Sequence, residues 1–207
     1  MTIHSTQTST ALLSALRDAR RDDAWNAFDA RYRPILEAMG RQLGLRDTDA
    51  VDAAQETLVV FLQAYARGEY DRSQGRLRSW LLGIARHRIA QARTKARRGG
   101  PNDPGAMEEV IDEQTMTDLW LTQRRAAILR AAIDELRATS EMTDRTISAF
   151  ERLVQGAAPA VVADELGMSR AEVYVIKNRV AQRLRDAIDR LERTYDDGPF
   201  DAAGTCS

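Results

Sequence analysis

Helical periodicity and one-sided charge occur together in one stretch of this chain, and the combination restricts the folds that the chain can adopt. From Arg72 to Arg98 the sequence contains nine Arg or Lys residues and no Asp or Glu. Its apolar residues recur at the spacing of one face of an α-helix, and they are Leu77, Trp80, Leu81, Ile84 and Ile89. The stretch therefore predicts a helix with one buried stripe and a cationic remainder.

The charge of this stretch is segregated, because the formal net charge of the whole chain of 207 residues is only -1. Exposed helix faces usually alternate acidic with basic residues, since opposite charges four positions apart stabilise a helix. A cationic surface without such pairing predicts a polyanionic partner, and nucleic acid is the first candidate. The alternative is a solvated helix face that has no partner.

The composition argues against several other classes of protein. Hydrophobic residues make up 43% and charged residues 29% of the chain, as in ordinary globular proteins. The one cysteine, Cys206, leaves no disulfide framework and favours a cytoplasmic location. No apolar run is long enough to span a membrane. The sequence has no metal-spaced carboxylates, nucleophile with a base or glycine-rich phosphate loop, so we expect no enzyme activity, metal or cofactor.

The remaining periodicity is helical, and no segment alternates with period two. We therefore predict an all-α fold of two small helical domains joined by a flexible acidic linker. From Asn102 to Asp118 there are six acidic residues and no basic one, after a run rich in Gly and Pro, which is typical of a linker. The predicted divisions are an N-terminal tail with a lead-in helix (1–20), a first domain (21–98), the linker (99–118), a second domain (119–193) and a disordered tail (194–207).

A second motif lies between Pro159 and Arg185, where the spacing is that of a helix-turn-helix. Pro159 suits the first turn of a helix, and Gly167 permits the left-handed backbone of a tight turn. Ser169 is then predicted to cap the second helix, with Glu172 as its capping-box partner. The outer face of that helix carries side chains that can contact bases and phosphates of duplex DNA. An ordinary helical hairpin is the alternative for this motif taken alone.

Together the two motifs resemble the extracytoplasmic-function (ECF) group of bacterial RNA polymerase sigma factors. The segments DAVDAAQETLVVFLQAY and GRLRSWLLGIARHRIAQARTKARR resemble sigma region 2. The segment ELGMSRAEVYVIKNRVAQRLR resembles the helix-turn-helix of sigma region 4, and its second half is similar to planctomycete-type members. The resemblance covers about residues 20–193. It implies a factor that directs promoter recognition, DNA melting and transcription initiation.

The resemblance implies that the second helix binds the clamp of the polymerase beta-prime subunit. The residues that match this acidic surface are Asp49, Asp52, Gln55 and Glu56. Val51 stands where the family usually has an acidic residue, which removes one charged contact. A phosphate on Thr48 or Thr57 would restore negative charge there. The expected regulators are therefore an anti-sigma factor or a Ser/Thr kinase.

Region 2 of the family also melts the minus-10 promoter element and holds it as a single strand. This needs cationic contacts to the backbone and a platform for a base. Tyr70 and Trp80 are the nearby aromatic residues, and we expect Trp80 to pack in the core because it lies on the apolar stripe. The residues assigned to this basic track are Arg76, Arg78, Arg86, His87, Arg88, Arg93, Lys95, Arg97 and Arg98.

Region 4 of the family binds the polymerase beta flap and contacts the minus-35 element as duplex DNA. The expected partners are therefore bacterial core RNA polymerase and promoter DNA. The residues assigned to minus-35 contacts are Ser169, Arg170, Tyr174, Lys177, Asn178 and Arg179.

A conventional helix-turn-helix regulator that binds an operator as a dimer is the alternative function. Such a protein would bind duplex DNA without polymerase. It would also leave the basic helix between Leu77 and Arg98 unexplained.

Overall fold

The computed structural model describes residues 16, 22–70, 77–97, 111–138 and 143–195. From residue 22 onwards, the described backbone forms seven α-helices and no strand, which confirms the predicted all-α fold. In chain order the helices are α1 (Asp22–Gln42), α2 (Asp47–Ala66), α3 (Leu77–Arg97), α4 (Glu113–Ala138), α5 (Asp144–Val154), α6 (Pro159–Leu166) and α7 (Arg170–Thr194).

The described residues form two compact units. The first contains the residues up to Ala127 together with Thr194 and Tyr195, and the second contains Ile128–Arg193. The N-terminal tail and lead-in helix predicted at 1–20 lie outside the described residues except for Leu16, which is buried.

The core of the first unit is formed by α1, α2, α3 and the first half of α4. α1 packs on α2, and α2 packs on α3. The rings of Phe28 in α1 and Phe61 in α2 stack with their centroids 4.7 Å apart. Tyr32 of α1 stacks on Trp120 of α4 at 5.9 Å. Large aromatic side chains supply much of the buried area, and their stacking adds to its stabilising effect.

The start of α4 differs from the prediction, because residues 113–118 are helical rather than part of a flexible linker. Asp112 caps the helix: the backbone N–H of Thr115 donates to Oδ2 at 2.8 Å, and this bond lowers the pKa of Asp112. Met116 and Trp120, only 1% and 2% exposed, lie in the core of the first unit. Their burial moves the boundary between the units from residue 119 into α4, after Ala127. Linker residues 99–110 lie outside the described residues.

The boundary predicted for the disordered tail, at residue 194, is also too early in the chain. Thr194 ends α7, and Thr194 and Tyr195 are both buried, at 5% and 9% exposed. The Tyr195 ring is large enough to gain from burial against other aromatic rings, and it lies edge-on to Tyr32 at 6.3 Å. Residues 196–207 lie outside the described residues.

The second unit contains the helix-turn-helix. α5 packs on α6, and Arg145 of α5 donates two hydrogen bonds to the carbonyl of Leu166, at 2.9 and 2.6 Å. Arg152 forms a two-pronged pair with Glu165 at 2.9 and 2.6 Å. These contacts fix the end of α6 against α5. One buried cluster of this unit, which lies within the helix-turn-helix and the helix before it, consists of Ala149, Val162, Ala163 and Val173.

Candidate nucleic-acid and protein interfaces

The acidic surface lies on one side of α2. Asp52, Gln55 and Glu56 are exposed and Asp49 is half-buried. Val59, which is 40% exposed, continues the same side one turn further along. Sequence reasoning missed Val59 because the apolar pattern alone does not show which valine of this helix faces outwards. The surface therefore combines carboxylates with one exposed apolar side chain, as protein interfaces commonly do.

Arginines of the same chain partly neutralise the start of α2. Arg41 Nε lies 2.7 Å from Asp47 Oδ1, and the Asp47 hydrogen bond raises the pKa of Arg41. Arg46 Nε lies 2.8 Å from Asp49 Oδ2. Asp52, by contrast, has no hydrogen bond or ion pair with any described residue, so its carboxylate is the most available member of the acidic surface.

The two threonines proposed as phosphorylation sites differ in access. Thr57 is 1% exposed, and its hydroxyl donates to the Ala53 carbonyl at 2.7 Å. The prediction for Thr57 is therefore wrong, because a kinase has no access to this hydroxyl in the folded protein. Thr48 is exposed at the start of α2, in the first turn, where the helix dipole favours negative charge.

The basic track lies on α3, but its described side chains occupy two sides of the helix. Arg88 and Lys95 line a cleft that faces the acidic residues of α2. Arg78 and Arg86 line a second cleft, against the start of α4. Arg93 is half-buried. Arg97 is also in α3, whereas Arg76 and Arg98 lie outside the described residues.

Aromatic rings form a stack beside the basic track. Trp80 packs against the core only in part: its ring lies 5.1 Å from that of Phe61, but the side chain is half-buried rather than buried as predicted. Tyr70 stacks on Trp80 with the ring centroids 5.2 Å apart and the planes 19° apart. Trp80 and His87 also line a shallow groove with Ile84. Arg88 lines the groove too, so an aromatic ring and a cation lie side by side, a combination that is common where single-stranded bases bind.

The predicted capping box of the helix-turn-helix is confirmed. Gly167 has φ +60°, the left-handed conformation expected at the turn. The backbone N–H of Glu172 donates to Ser169 Oγ at 3.2 Å. In return, the backbone N–H of Ser169 donates to Glu172 Oε2 at 2.6 Å, which lowers the pKa of Glu172. The Ser169 hydroxyl is therefore engaged in positioning α7.

Beyond this cap, α7 presents an exposed recognition surface. Its side chains are exposed, and Tyr174 is 53% exposed. Val175, 64% exposed, adds an apolar side chain of the size that contacts thymine methyl groups. Gln182 is bonded within the helix, since its Nε2 donates to Asp186 at 2.9 Å. The predicted minus-35 residues on this recognition surface are Arg170, Tyr174, Lys177, Asn178 and Arg179.

A comparison with known protein families gives a match within the first unit. Residues 28–99 match the family described as sigma-70 region 2, a span that includes most of α1 and all of α2 and α3. The match supports a place in the sigma factor family, whose members bind core RNA polymerase and promoter DNA to initiate transcription. No curated protein matches the chain significantly.

Two other kinds of feature are absent from the described residues. None of the helices in this part of the chain has the length and apolar character needed to cross a membrane. Within the same ranges, no three His, Cys, Asp or Glu residues are grouped so that they could hold a metal ion.

Proposed function

We propose that the protein is an ECF-type sigma factor, similar to the planctomycete-type group, that acts in the cytoplasm. It binds bacterial core RNA polymerase and directs promoter recognition, DNA melting and initiation. One observation carries the proposal: a sigma-70 region 2 segment at residues 28–99 is followed in the same chain by a capped helix-turn-helix with an exposed outer face. An operator-binding regulator would need only the second of these.

The acidic surface of α2 is the proposed contact with the beta-prime clamp. Asp52 supports this role best because it is exposed and has no polar partner in the described part of the chain. Asp49 already pairs with Arg46, and Glu56 lies 4.0 Å from Arg88. Binding therefore depends on Asp52 and on Gln55 beside it, with Val59 as an apolar contact. Region 4 takes the beta flap as its partner.

Regulation through this surface is a further part of the proposal. An anti-sigma factor that covers α2 would exclude the polymerase. A kinase that modifies Thr48 would add charge next to Asp49, at the point where Val51 lacks the usual carboxylate.

The basic track is the proposed site for the melted minus-10 strand. Cations on α3 attract the phosphate backbone, and the groove beside Trp80 and His87 receives a base. Lys95 is the strongest candidate for a phosphate contact since it is exposed.

The recognition surface of α7 is the proposed reader of the minus-35 element. Asn178 has an amide that can bond to an adenine edge, while Arg170, Lys177 and Arg179 can contact guanine or phosphate. Tyr174 supplies an exposed ring beside them.

The deciding experiment is run-off transcription with purified bacterial core polymerase on a library of promoter fragments. The expected result is core binding and defined start sites that require the protein. A protein that neither binds core nor directs start sites would overturn the proposal. Tight, specific binding of a dimer to duplex DNA without polymerase would instead favour the operator-binding regulator.

A further inference from the structure

Gly83 lies in the interior of α3 and is exposed. An added Cβ at this position would have no described atom within 4 Å, and the residue is not among the glycines with positive φ. A glycine inside a helix is destabilising relative to alanine, because it loses more backbone entropy on folding. Neither packing nor backbone conformation in the described part of the chain therefore accounts for a glycine here.

The helical neighbours of Gly83 form a patch of four polar or aromatic side chains. Residues three and four positions apart are neighbours on a helix surface, and for Gly83 these are Ser79, Trp80, Arg86 and His87. Ser79 and His87 are exposed, and Trp80 and Arg86 are half-buried. A hydroxyl, an indole, a guanidinium and an imidazole thus surround a point at which the helix carries no side chain.

On one side, Gly83 lines a cleft between α3 and the start of α4, the α3–α4 cleft, with Arg78 and Arg86. Its volume is about 100 Å³, which is room for about three water molecules. Its described lining includes these two arginines and one acidic residue, Glu113. A cleft of this size and charge suits a compact anion such as the phosphate of a nucleic-acid backbone.

On the other side, Gly83 lines the groove of Trp80, Ile84 and His87, the Trp80 groove. Its volume is about 420 Å³, so it is much larger than the α3–α4 cleft. An indole and an imidazole supply faces on which a base can stack. Gly83 and Ser79 line both openings, which therefore meet at this part of α3.

We propose that a DNA single strand crosses α3 directly over Gly83, with a phosphate in the α3–α4 cleft and a base in the Trp80 groove. The inference rests on the proposed function and adds the path of the melted strand. Because Gly83 has no Cβ, the sugar–phosphate backbone lies close against the helix backbone. The Trp80 groove shares Arg88 with the cleft that contains Lys95, so a strand on this path contacts cations on both sides of α3.

Filling the position with a side chain tests the crossing. Gly83→Ala and Gly83→Leu are expected to raise the urea midpoint of unfolding, because both residues favour a helix more than glycine does. They are nevertheless expected to weaken binding of single-stranded minus-10 DNA by the holoenzyme, by about threefold and at least about tenfold respectively, because the added side chain meets the strand. A glycine with no ligand would change stability alone.

Ala30→Leu is the matched control, because Ala30 is also exposed inside a helix, in α1. It is expected to leave the affinity for the strand unchanged. A stably folded Gly83→Leu protein whose holoenzyme binds the strand like wild type overturns the crossing. Loss of core polymerase binding by Gly83→Leu also overturns it, since this result would assign the position to a protein partner.

A double substitution tests whether the strand reaches the α3–α4 cleft over Gly83. Arg86→Met alone is expected to reduce the logarithmic salt slope of strand binding by about 0.7, the value for one phosphate contact on a single strand. In the Gly83→Leu chain, the same substitution is expected to change the slope by less than half of that, because the strand no longer reaches Arg86. Additive effects of the two substitutions would contradict the crossing and leave the proposed function standing. A wild-type holoenzyme that does not bind the strand would overturn the proposed function and the crossing with it.

Discussion

The Arg88 guanidinium faces Glu56 across the seam between α3 and α2, with Nη1 4.0 Å from Oε2. The same Nη1 donates to Gln91 at 2.9 Å, and Nε is buried without a hydrogen-bond partner among the described atoms. Arg88, although a member of the basic track, is thus engaged by Glu56 of the acidic surface and by Gln91 of its own helix. A guanidinium in this position is less available to a DNA phosphate than an exposed cation.

The contact of Arg88 with Glu56 predicts that Arg88 and Lys95, which line the same cleft, contribute unequally to DNA binding. Lys95→Met is expected to weaken binding of single-stranded minus-10 DNA by the holoenzyme and to reduce the logarithmic salt slope by about 0.7, the value for one phosphate contact on a single strand. Arg88→Met is expected to change the slope by less than half of that. Affinities measured at several salt concentrations provide the test, and equal changes in slope would contradict it.

A second prediction concerns polymerase binding. Asp52→Asn is expected to weaken binding to core polymerase roughly three- to tenfold, mainly through slower association, because it removes an exposed and unpaired charge. Asp49→Asn is the matched control and is expected to have a smaller effect, since Arg46 already pairs with Asp49. Association rates measured at low and at high salt give the effect of each substitution. A larger loss for Asp49→Asn would show that the ion pair opens on binding.

Replacing either of two glycines by alanine is expected to change the stability of the protein, and the two changes are expected to have opposite signs. Gly167 has φ +60°, so Gly167→Ala is expected to destabilise the protein by about 1 kcal/mol, because a Cβ is unfavourable in the left-handed region. Gly83 lies inside α3 with nothing within 4 Å of an added Cβ. Gly83→Ala is expected to stabilise the protein by about 0.5–1 kcal/mol through helix propensity. Urea unfolding of the full chain measures both, and equal signs would contradict the reasoning.

Acid is expected to destabilise the second unit. The backbone N–H of Ser169 lowers the pKa of Glu172, and the Arg152 hydrogen bond lowers the pKa of Glu165. A carboxyl whose pKa is lower in the folded state contributes stability above its unfolded pKa, about 4.3 for glutamate. That contribution is lost as the pH falls through the lowered folded value.

The measurement is amide exchange in α6 and α7 between neutral pH and about pH 3, corrected for intrinsic exchange rates. Glu172→Gln is the control because its side chain can still accept the Ser169 hydrogen bond but does not titrate. This variant is expected to show a shallower loss of protection with acid. An unchanged pH profile would mean that Glu172 does not contribute to acid sensitivity.

The helices themselves were predictable from the sequence, because their signals are local. α3 begins at Leu77 as the apolar spacing predicts. The turn at Gly167 and the capping box of Ser169 and Glu172 depend only on residues within one turn of each other. The start of α2 has no such local signal, because its capping position is Arg46, whose side chain makes no capping hydrogen bond.

Charge and periodicity are properties of neighbouring residues, and they were therefore sufficient to predict an all-α chain, a basic helix, an acidic helix before it and a helix-turn-helix. The packing of the helices was needed to establish that Trp120 belongs to the core of the first unit, that the basic track occupies two sides of α3 and that Thr57 is inaccessible. It also placed Thr194 against Arg31, 163 positions away in the chain. Such contacts depend on how the helices pack, and no local pattern specifies which distant side chain fills a given pocket.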